Sequence, residues 1–402
     1  MPVTSSRLSR RALASGAAVG FLVFTAACGS SSSTSPNATG SGASTAPAAP
    51  SAQTSASGGD GVAFAKAQIA KYEPLVNKFT PPGPAVQGIK QLLQGKTVWY
   101  VPTFLQAPIF TANSKALVEP LALAGAQLHV CDAAANPSQA DACIKQAVAA
   151  KAVAIITDAI DYSFAQQATD AALAAGIPFI ATDNDNSGQF PKNPLTTTVS
   201  IGGPDVARLS VDYIIADSNG AANALYAADD SSAGTIAANA THEEFAKHCP
   251  GCKVTTVKFS DLTVQNLATA VSSALASHPK INYIYGGYDA PSGIFALQGA
   301  KAVVGRKFTY VTGTGQPPGL QRVAAGQQAA DPGSDTVASM WNTVDALFRV
   351  LTKAPPVDHV SALRVFTKDN LPPNTKDASA YYSGEWYTDG SFKPMYKTLW
   401  GL

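Results

Sequence analysis

The chain has 402 residues, enough for two domains at roughly 100–200 residues each. It carries 28 Lys and Arg against 27 Asp and Glu, a net charge of +1, so its charge balance gives no footprint for binding nucleic acid or an anionic membrane surface. Charged residues make up only 14% of the chain, partly because an N-terminal segment is almost uncharged.

The first 28 residues have the features of an export signal. Basic residues at 7, 10 and 11 precede an apolar run over 12–27, which is shorter than the about 20 residues that a membrane span needs. The small residues before Cys28 resemble a bacterial lipobox, in which the cysteine is lipidated, although Thr25 stands where that pattern usually has Leu. An ordinary signal peptide is the alternative. Arg10 and Arg11 also resemble a twin-arginine motif, so Sec and twin-arginine export both remain open.

Residues 29–60 are predicted to form a disordered tether. They are almost entirely Ser, Ala, Gly, Thr and Pro, and such a stretch cannot bury enough apolar surface to offset its chain entropy. Its reach is on the order of 30 Å, so a folded domain could sit clear of a lipid surface.

Four cysteines remain if Cys28 carries lipid, and an even number outside the cytoplasm predicts two disulfides. Cys249 and Cys252 flank Pro-Gly, which favours a turn that brings them together. A redox pair or half of a zinc site is the alternative at this spacing. Cys131 and Cys143 are the second predicted pair.

Short apolar strands alternate with helices from residue 97 onward, a pattern typical of parallel sheets covered on both faces. A helix over 62–78 precedes them. The first series has strands at 97–102, 127–131, 152–157 and 179–182 and helices at 113–124, 138–150 and 163–175. The second has strands at 197–201, 223–227, 253–259, 282–286, 307–312 and 327–330 and helices at 205–217, 237–248, 264–277, 292–300, 318–325 and 334–353. The sequence therefore predicts an α/β fold with two doubly wound parallel-sheet domains facing a central cleft.

Polar and aromatic residues follow most of the predicted strands, where ligands bind in such sheets. Rings and carboxylates at these positions suit a small molecule with many hydroxyl or amide groups. The alternative for any single Asp or Asn is that it only caps the next helix. The candidate ligand-binding residues are Thr103, Phe104, Gln106, Asp158, Asp183, Asn184, Asp230, Tyr288, Asp289, Thr314, Gln316 and Asp331.

Three segments resemble the type I periplasmic binding proteins, in particular the ribose-binding branch. Residues 96–110 are similar to that family's first strand and aromatic loop, and 174–183, AAGIPFIATD, to a strand that ends in a ligand-binding aspartate. Residues 288–293, YDAPSG, are similar to the segment with a second ligand aspartate. With the C-terminal 399–402, the resemblance covers about 300 residues.

The resemblance implies that Phe110 stacks on the ligand and that Asp183 and Asp289 accept its hydrogen bonds. Sugar binders of the family usually have Arg where this chain has Asn184, and tend to have Arg near the position of Asn239. A bidentate guanidinium clamp is therefore missing from both places. A sugar is the default ligand, and a cyclitol, a nucleoside or another polar metabolite remains open.

The resemblance also implies two lobes joined by three hinge strands, with residues 95–200 and 332–360 in the first lobe and 201–331 and 361–402 in the second. Residues 61–94 are an N-terminal helical extension. The hinge candidates are 202–203 and 329–331. The expected partners are a small polar solute, the permease of an ABC importer and a lipid anchor, with the chain a monomer.

Other functions are less favoured by the sequence. A sensor subunit that contacts a membrane receptor is the first alternative, and an exported enzyme the second. The glycines after residue 312 lack the dinucleotide spacing, no Gly-x-Ser-x-Gly is present, and His242 and His248 fail the His-Glu-x-x-His spacing. No cofactor, metal or nucleic-acid partner is therefore predicted.

Overall fold

The computed structural model describes residues 58–185 and 187–402. The predicted export signal, Cys28 and nearly all of the predicted tether thus lie outside the described residues. Within those ranges, no helix combines the length and the apolar character that a membrane crossing needs.

Two separate sheets form the framework. The first is five-stranded and parallel, in the order β2-β1-β3-β4-β5. The second is six-stranded, in the order β11-β10-β9-β8-β6-β7, with β11 antiparallel to β10 and the other neighbours parallel. The prediction of two α/β lobes with mostly parallel sheets is confirmed. The strands are β1 (Thr97–Pro102), β2 (Gln127–Val130), β3 (Ala154–Asp158), β4 (Phe179–Thr182), β5 (Thr196–Val199), β6 (Asn223–Asp229), β7 (Lys253–Phe259), β8 (Tyr283–Tyr288), β9 (Thr309–Gly313), β10 (Ala330–Ser334) and β11 (Leu363–Thr367).

Helices cover both faces of each sheet. They are α1 (Gly58–Tyr72), α2 (Ile89–Leu93), α3 (Pro108–Leu123), α4 (Pro137–Ala149), α5 (Gln166–Ala174), α6 (Gly203–Asp217), α7 (Ser232–His248), α8 (Leu267–Ser277), α9 (Ser292–Lys301), α10 (Pro317–Ala324), α11 (Thr336–Thr352), α12 (Ser379–Ser383) and α13 (Phe392–Trp400).

Strand alternation decides which helices each face of a sheet contacts. On β1, Val98 and Tyr100 pack with α2, α3, α11 and α13, whereas Trp99 and Val101 pack with α4 and α5. On the second sheet, α1, α6 and α7 cover one face and α8 and α9 the other. Both sheets are therefore buried on two sides, and their polar residues collect at the strand ends.

Helix caps fall where the sequence has the expected residue types. Asn136 Oδ1 accepts a hydrogen bond from Ser138 N (2.9 Å) at the start of α4. Ser231 Oγ accepts from Gly234 N (3.0 Å) at α7, and Asp335 Oδ1 from Val337 N (2.8 Å) at α11. These caps set the points at which three of the crossover helices begin.

Two of the predicted boundaries that the structure shifts lie next to candidate ligand-binding residues. Helix α3 begins at Pro108 rather than at 113, so Phe110 lies in its first turn instead of an aromatic loop. The strand predicted over 327–330 is Ala330–Ser334. A strand that contains Pro332 is not expected from the sequence, because proline cannot donate a backbone hydrogen bond to a β-ladder. On the β9 side, Pro332 only accepts a hydrogen bond, from Thr314 N to its carbonyl oxygen at 2.7 Å, so its missing N–H is not needed for that contact.

The sequence pattern predicted no helix or strand after residue 353. It contains β11, α12 and α13, and α13 packs through Phe392 and Trp400 into the core around β1 and α11. The sequence assigned 361–402 to the second lobe. The apolar face of α13 explains the difference, because Phe392 and Trp400 pack their rings against Trp341 and Phe348 of α11.

Chain crossings between the lobes occur at more places than the three that the resemblance implies. Those three are the links β5 to α6, β10 to α11 and α11 to β11. Two more crossings are the link from α1 to α2 and the link from β11 to α13. Helix α1 packs on α6 of the second lobe, whereas α2 and α13 pack in the first. Val76 and Thr388 from these two extra links form a parallel bridge, with Val76 N bonded to Tyr387 O at 2.9 Å. More than three segments thus connect the two lobes.

Both expected disulfides are present. Cys131 pairs with Cys143 and Cys249 with Cys252, at Cα–Cα distances of 5.7 and 5.3 Å. The first closes the loop between β2 and α4, and the second joins the end of α7 to β7.

Reduction is expected to destabilise the protein mainly through Cys131–Cys143. The chain-entropy argument gives this loop about 3 kcal/mol and the shorter Cys249–Cys252 loop about 2 kcal/mol. Urea unfolding of Cys131→Ala/Cys143→Ala and of Cys249→Ala/Cys252→Ala measures each contribution. A thiol assay on the unfolded, unreduced, delipidated protein should find fewer than two reactive thiols, and finding two or more would contradict the pairing.

Candidate functional site

A polar group lies at the carboxyl ends of β1 and β3 in the first lobe. Asp158, the last residue of β3, is fully buried, and its Oδ2 accepts hydrogen bonds from the Tyr100 hydroxyl and from Asn113 Nδ2 (2.8 Å). Asp158 Oδ1 and Asn113 Oδ1 have no hydrogen-bond partner among the described residues. Leaving two buried acceptors unpaired is costly, so the arrangement favours a ligand that donates hydrogen bonds.

Asp183 extends this group from the neighbouring strand. Asp158 is in register with Thr182, the last residue of β4, so Asp183 follows directly at the sheet edge. Its backbone φ of 50° lies in the left-handed region, which a non-glycine residue adopts infrequently. A residue held in that region next to unpaired acceptors is more typical of a binding site than of a simple turn.

The first-lobe group is acidic. Burial raises the pKa of Asp158 to about 6, although the hydrogen bonds from Tyr100 and Asn113 lower it. Burial also raises the pKa of Asp183 well above its ordinary value, and the charges of Asp158 and Asp185 raise it further. In the described part of the chain, no ion pair involves either carboxylate.

A second group, centred on Asp289, lies at the ends of β8 and β9. Its Oδ1 accepts hydrogen bonds from Thr312 Oγ1 (2.5 Å) and Arg322 Nη2 (3.1 Å). Its Oδ2 accepts from Gln316 N (2.7 Å) and Thr314 Oγ1 (3.0 Å). Because a carboxylate has about four acceptor sites, Asp289 is already saturated by its own lobe.

Asp331 lies beside Asp289 and is not saturated. Its Oδ1 accepts a hydrogen bond from Gly315 N (3.1 Å), and its Oδ2 lies beside the Asp289 carboxylate, with which Asp331 shares a side-chain hydrogen bond. Gln316 Oε1 lacks a partner within the described ranges. Burial raises the pKa of Asp331 well above its ordinary value, and the charge of Asp289 raises it further.

Gly319 allows this close approach. A Cβ at that position would stand 1.9 Å from Asp331 Oδ2 and 2.1 Å from Asp289 Oδ1. The two carboxylate oxygens are therefore near neighbours, and no side chain fits between them and the start of α10.

The two lobes meet next to these groups. Ala112 of α3 and Leu320 of α10 share an apolar cluster with Tyr381, Trp386 and Tyr387. Asn113 follows Ala112, and Gly319 precedes Leu320, so both polar groups border the same junction. The Tyr387 hydroxyl donates to Gly315 O at 2.6 Å and holds the C-terminal segment against it.

Residues 98–355 match the family described as periplasmic binding protein domain. The chain belongs to the periplasmic binding protein family. That family is a solute-binding, non-enzymatic class. No curated protein sequence matches this binding protein.

Several solved structures share the fold. A Caulobacter myo-inositol binding protein bound to myo-inositol is 19% identical, with a TM-score of 0.60 over 74% of this chain and 97% of its own. A glucose-galactose binding protein from Geobacillus stearothermophilus is 18% identical, with a TM-score of 0.60 over 69% of this chain and 99% of its own. A periplasmic ribose ABC transporter protein from Conexibacter woesei is 17% identical, with a TM-score of 0.60 over 72% and 95%.

Six of the sequence-predicted residues belong to the two polar groups of this binding protein. They are Asp158 and Asp183 in the first lobe and Asp289, Thr314, Gln316 and Asp331 in the second.

Four more make local contacts near the strand ends. Thr103 Oγ1 donates to Ala159 O (2.7 Å), and Asn184 Oδ1 accepts from Gln189 Nε2 (3.1 Å). Phe110 is buried, and its ring centroid lies 5.7 Å from that of Phe104. Phe110, in the first turn of α3, thus packs its ring against that of Phe104.

The remaining four lie away from both groups or on the surface. The Tyr288 hydroxyl bonds to Asp261, and Gln106, Asp230 and Asn239 have exposed side chains. A ligand-binding role for these four stays a prediction.

Four residues of the two polar groups were not predicted from the sequence: Tyr100, Asn113, Thr312 and Arg322. For Arg322 a signal existed, since helical spacing puts it on the same face as Gly319 and Val323, which are buried. Arg322 places a guanidinium in the second lobe, but this guanidinium forms an ion pair with Asp289 and does not point at a position open to a ligand. Tyr100 and Asn113 gave no signal, because their partner Asp158 is distant along the chain.

A groove of about 1100 Å³ lies at the opposite, amino ends of β3, β4 and β5. It is bordered by Pro178, Leu195, Val350 and Val357, and by Arg349, whose guanidinium already bonds Asp345 (2.7 Å) and Pro84 O (3.2 Å). One unpartnered buried polar atom of the described ranges, Thr196 Oγ1, belongs to a residue that lines this groove, whereas Asn113, Asp158 and Gln316 at the carboxyl ends contribute one each. The carboxyl ends of the strands are therefore the better candidate site.

Proposed function

We propose that this binding protein is the extracytoplasmic substrate-binding lipoprotein of an ABC importer, and that it holds a small polar solute between its lobes. The observation that carries the proposal is a set of three buried acceptor atoms without partners in the described residues: Asn113 Oδ1, Asp158 Oδ1 and Gln316 Oε1. Asp158 ends β3, Asn113 of α3 donates to it, and Gln316 follows β9, so these atoms lie beside the strand ends of both lobes, where parallel sheets bind ligands.

A sugar or sugar-like polyol fits these acceptors, because each hydroxyl can donate one hydrogen bond. The names of the structural neighbours include binders of myo-inositol, glucose and galactose, and ribose. The proposed lipid anchor rests on Cys28 and the Ser-rich stretch that follows it. Delivery to a permease rests on the family.

Ligand binding is proposed to close the lobes by rotation about the crossing segments, because the unpaired acceptors come from both sides. The hinge candidates 202–203 lie in the link between β5 and α6, where Gly202 has φ 91°. The crossings at 73–88 and 368–391 also join the lobes, and the Val76–Thr388 bridge links these two segments to each other.

Asp183→Ala is expected to weaken solute binding by about tenfold or more, since it removes an acceptor from the first-lobe group. A thermal-shift screen of sugars, polyols, nucleosides and amino acids first identifies a binder, because binding to the native state raises the unfolding temperature. Calorimetry then compares the variant with Asp358→Ala, whose side chain is exposed on the link after α11.

Small-angle scattering gives the second readout. A bound ligand should reduce the radius of gyration of the wild-type protein, and a proven binder that leaves it unchanged contradicts closure. Unchanged affinity in Asp183→Ala contradicts the site assignment.

A further inference from the structure

Charge distinguishes the first-lobe group from a site built only for hydroxyls. Asp158 and Asp183 lie on adjacent strand ends, and the charged groups that act on them are Asp185 and each other. Tyr100 from β1 and Asn113 from α3 complete the surroundings, and neither carries a positive charge. Lys115, also on α3, lies over the Tyr382 ring at 4.0 Å.

The second lobe does not supply the missing cation. Arg322 lies 3.1 Å from Asp289, and its Nε donates to Gln328 Oε1 at 2.8 Å. The two carboxylates of Asp289 and Asp331 outnumber the single guanidinium of Arg322. The described residues around the junction thus present more carboxylates than cations.

We propose that the solute carries a positively charged amino group, and that this group binds at Asp158 and Asp183 in the first lobe. Its N–H groups would donate to Asp158 Oδ1 and Asn113 Oδ1, the two buried acceptors that lack partners in the described ranges. An ammonium group has three donors and no acceptor, which matches this set. The solute class is an amino sugar or an aminocyclitol. The inference rests on the proposed function and narrows its ligand.

Proton balance follows from the same geometry. Without ligand, burial and the neighbouring carboxylate raise the pKa of Asp183, which favours a proton on the pair. A bound ammonium favours the ionised form of both carboxylates and lowers their pKa values. Binding of the amine therefore releases a proton to the buffer, whereas a neutral polyol leaves the proton in place.

The experiment uses the full-length protein and matched probes: D-glucosamine with D-glucose, D-galactosamine with D-galactose, and scyllo-inosamine with scyllo-inositol. Calorimetry is run at pH about 6, near the pKa of Asp158, in two buffers of different ionisation enthalpy. We expect the amine of at least one pair to bind about tenfold or more tightly than its neutral partner. We also expect the apparent enthalpy to depend on the buffer, as proton release requires.

Two variants localise the effect. Asp158→Asn and Asp183→Asn keep the shape and should each reduce the preference for the amine by about tenfold. Asp183 is only half-buried, so its variant keeps the test available if Asp158→Asn does not fold. Asp358→Asn is the control and should leave the preference unchanged.

The outcomes separate this inference from the proposed function. A neutral member that binds as tightly as its amine, without proton release, overturns the amino-group inference and leaves the solute-binding function standing. A preference that survives both Asn variants overturns the assigned position. If no probe of either kind, and no member of the wider screen, raises the unfolding temperature, both the inference and the proposed function fail.

Discussion

Asp289→Ala is expected to lower the free energy of unfolding by about 3–5 kcal/mol, because it leaves the buried guanidinium of Arg322 without its charge partner. Arg322 is only 8% exposed, and Asp289 is fully buried. The change also removes the acceptor for Gln316 N and Thr312 Oγ1. Urea unfolding at neutral pH, followed by circular dichroism, gives the difference.

Asp331→Asn is the comparison. Asp331 is as fully buried as Asp289, but its nearest charged neighbour is the Asp289 carboxylate and not a cation. The charge of Asp289 destabilises ionised Asp331, so a neutral amide should cost far less than the change at Asp289. Equal losses in the two variants would contradict the assignment of Asp289 as the partner of Arg322. The control Asp358→Ala should remain within about 0.5 kcal/mol of wild type.

Asp345→Ala is expected to cost about 3–5 kcal/mol for a similar reason at the far side of the first lobe. Asp345 Oδ2 accepts from Arg349 Nε (2.7 Å) and contacts His359 Nε2 (2.9 Å), and its Oδ1 accepts from Trp400 Nε1 (2.8 Å). Burial raises the pKa of Asp345, but these hydrogen bonds together bring it below the ordinary value. The stability it contributes is thus present at neutral pH and is lost as pH falls through that lowered pKa.

A surface ion pair with the same i,i+4 spacing as Asp345 and Arg349 provides the control. Asp141 and Lys145 form an i,i+4 pair at 2.6 Å, but the lysine side chain is 59% exposed, so Asp141→Ala should cost no more than about 1 kcal/mol. A double variant, Asp345→Ala with Arg349→Met, should cost less than the two single changes added together. Strict additivity would show that the two side chains do not stabilise each other.

The Asp345 network also explains why the C-terminal chain returns to the first lobe. Trp400 stacks on Trp341 at a centroid distance of 5.3 Å while its indole N–H donates to Asp345. Tyr396 adds a hydrogen bond from its hydroxyl to Asn342 Oδ1 (2.6 Å). The residues that fix α13 are therefore spread over α11 and α13, and no local pattern in 392–400 identifies that partner.

The sequence by itself determined the alternation of strands and helices, the pairing of the four cysteines in the described residues, and the positions of Asp158, Asp183 and Asp289 after buried strands. Each of these depends on local signals: apolar periodicity, caps, Pro-Gly turns and short loops. Such signals are complete within about 20 residues of chain.

Only the tertiary structure decided which polar groups are already satisfied. Asp183 and Asp289 looked equivalent in sequence, but Asp289 is saturated by Arg322, Thr312, Thr314 and Gln316, whereas Asp183 stands beside the unpaired oxygens of the first lobe. Hydrogen-bond saturation depends on donors brought from distant elements, and burial decides the cost of leaving an acceptor unpaired. Neither quantity is encoded in the residues next to the carboxylate.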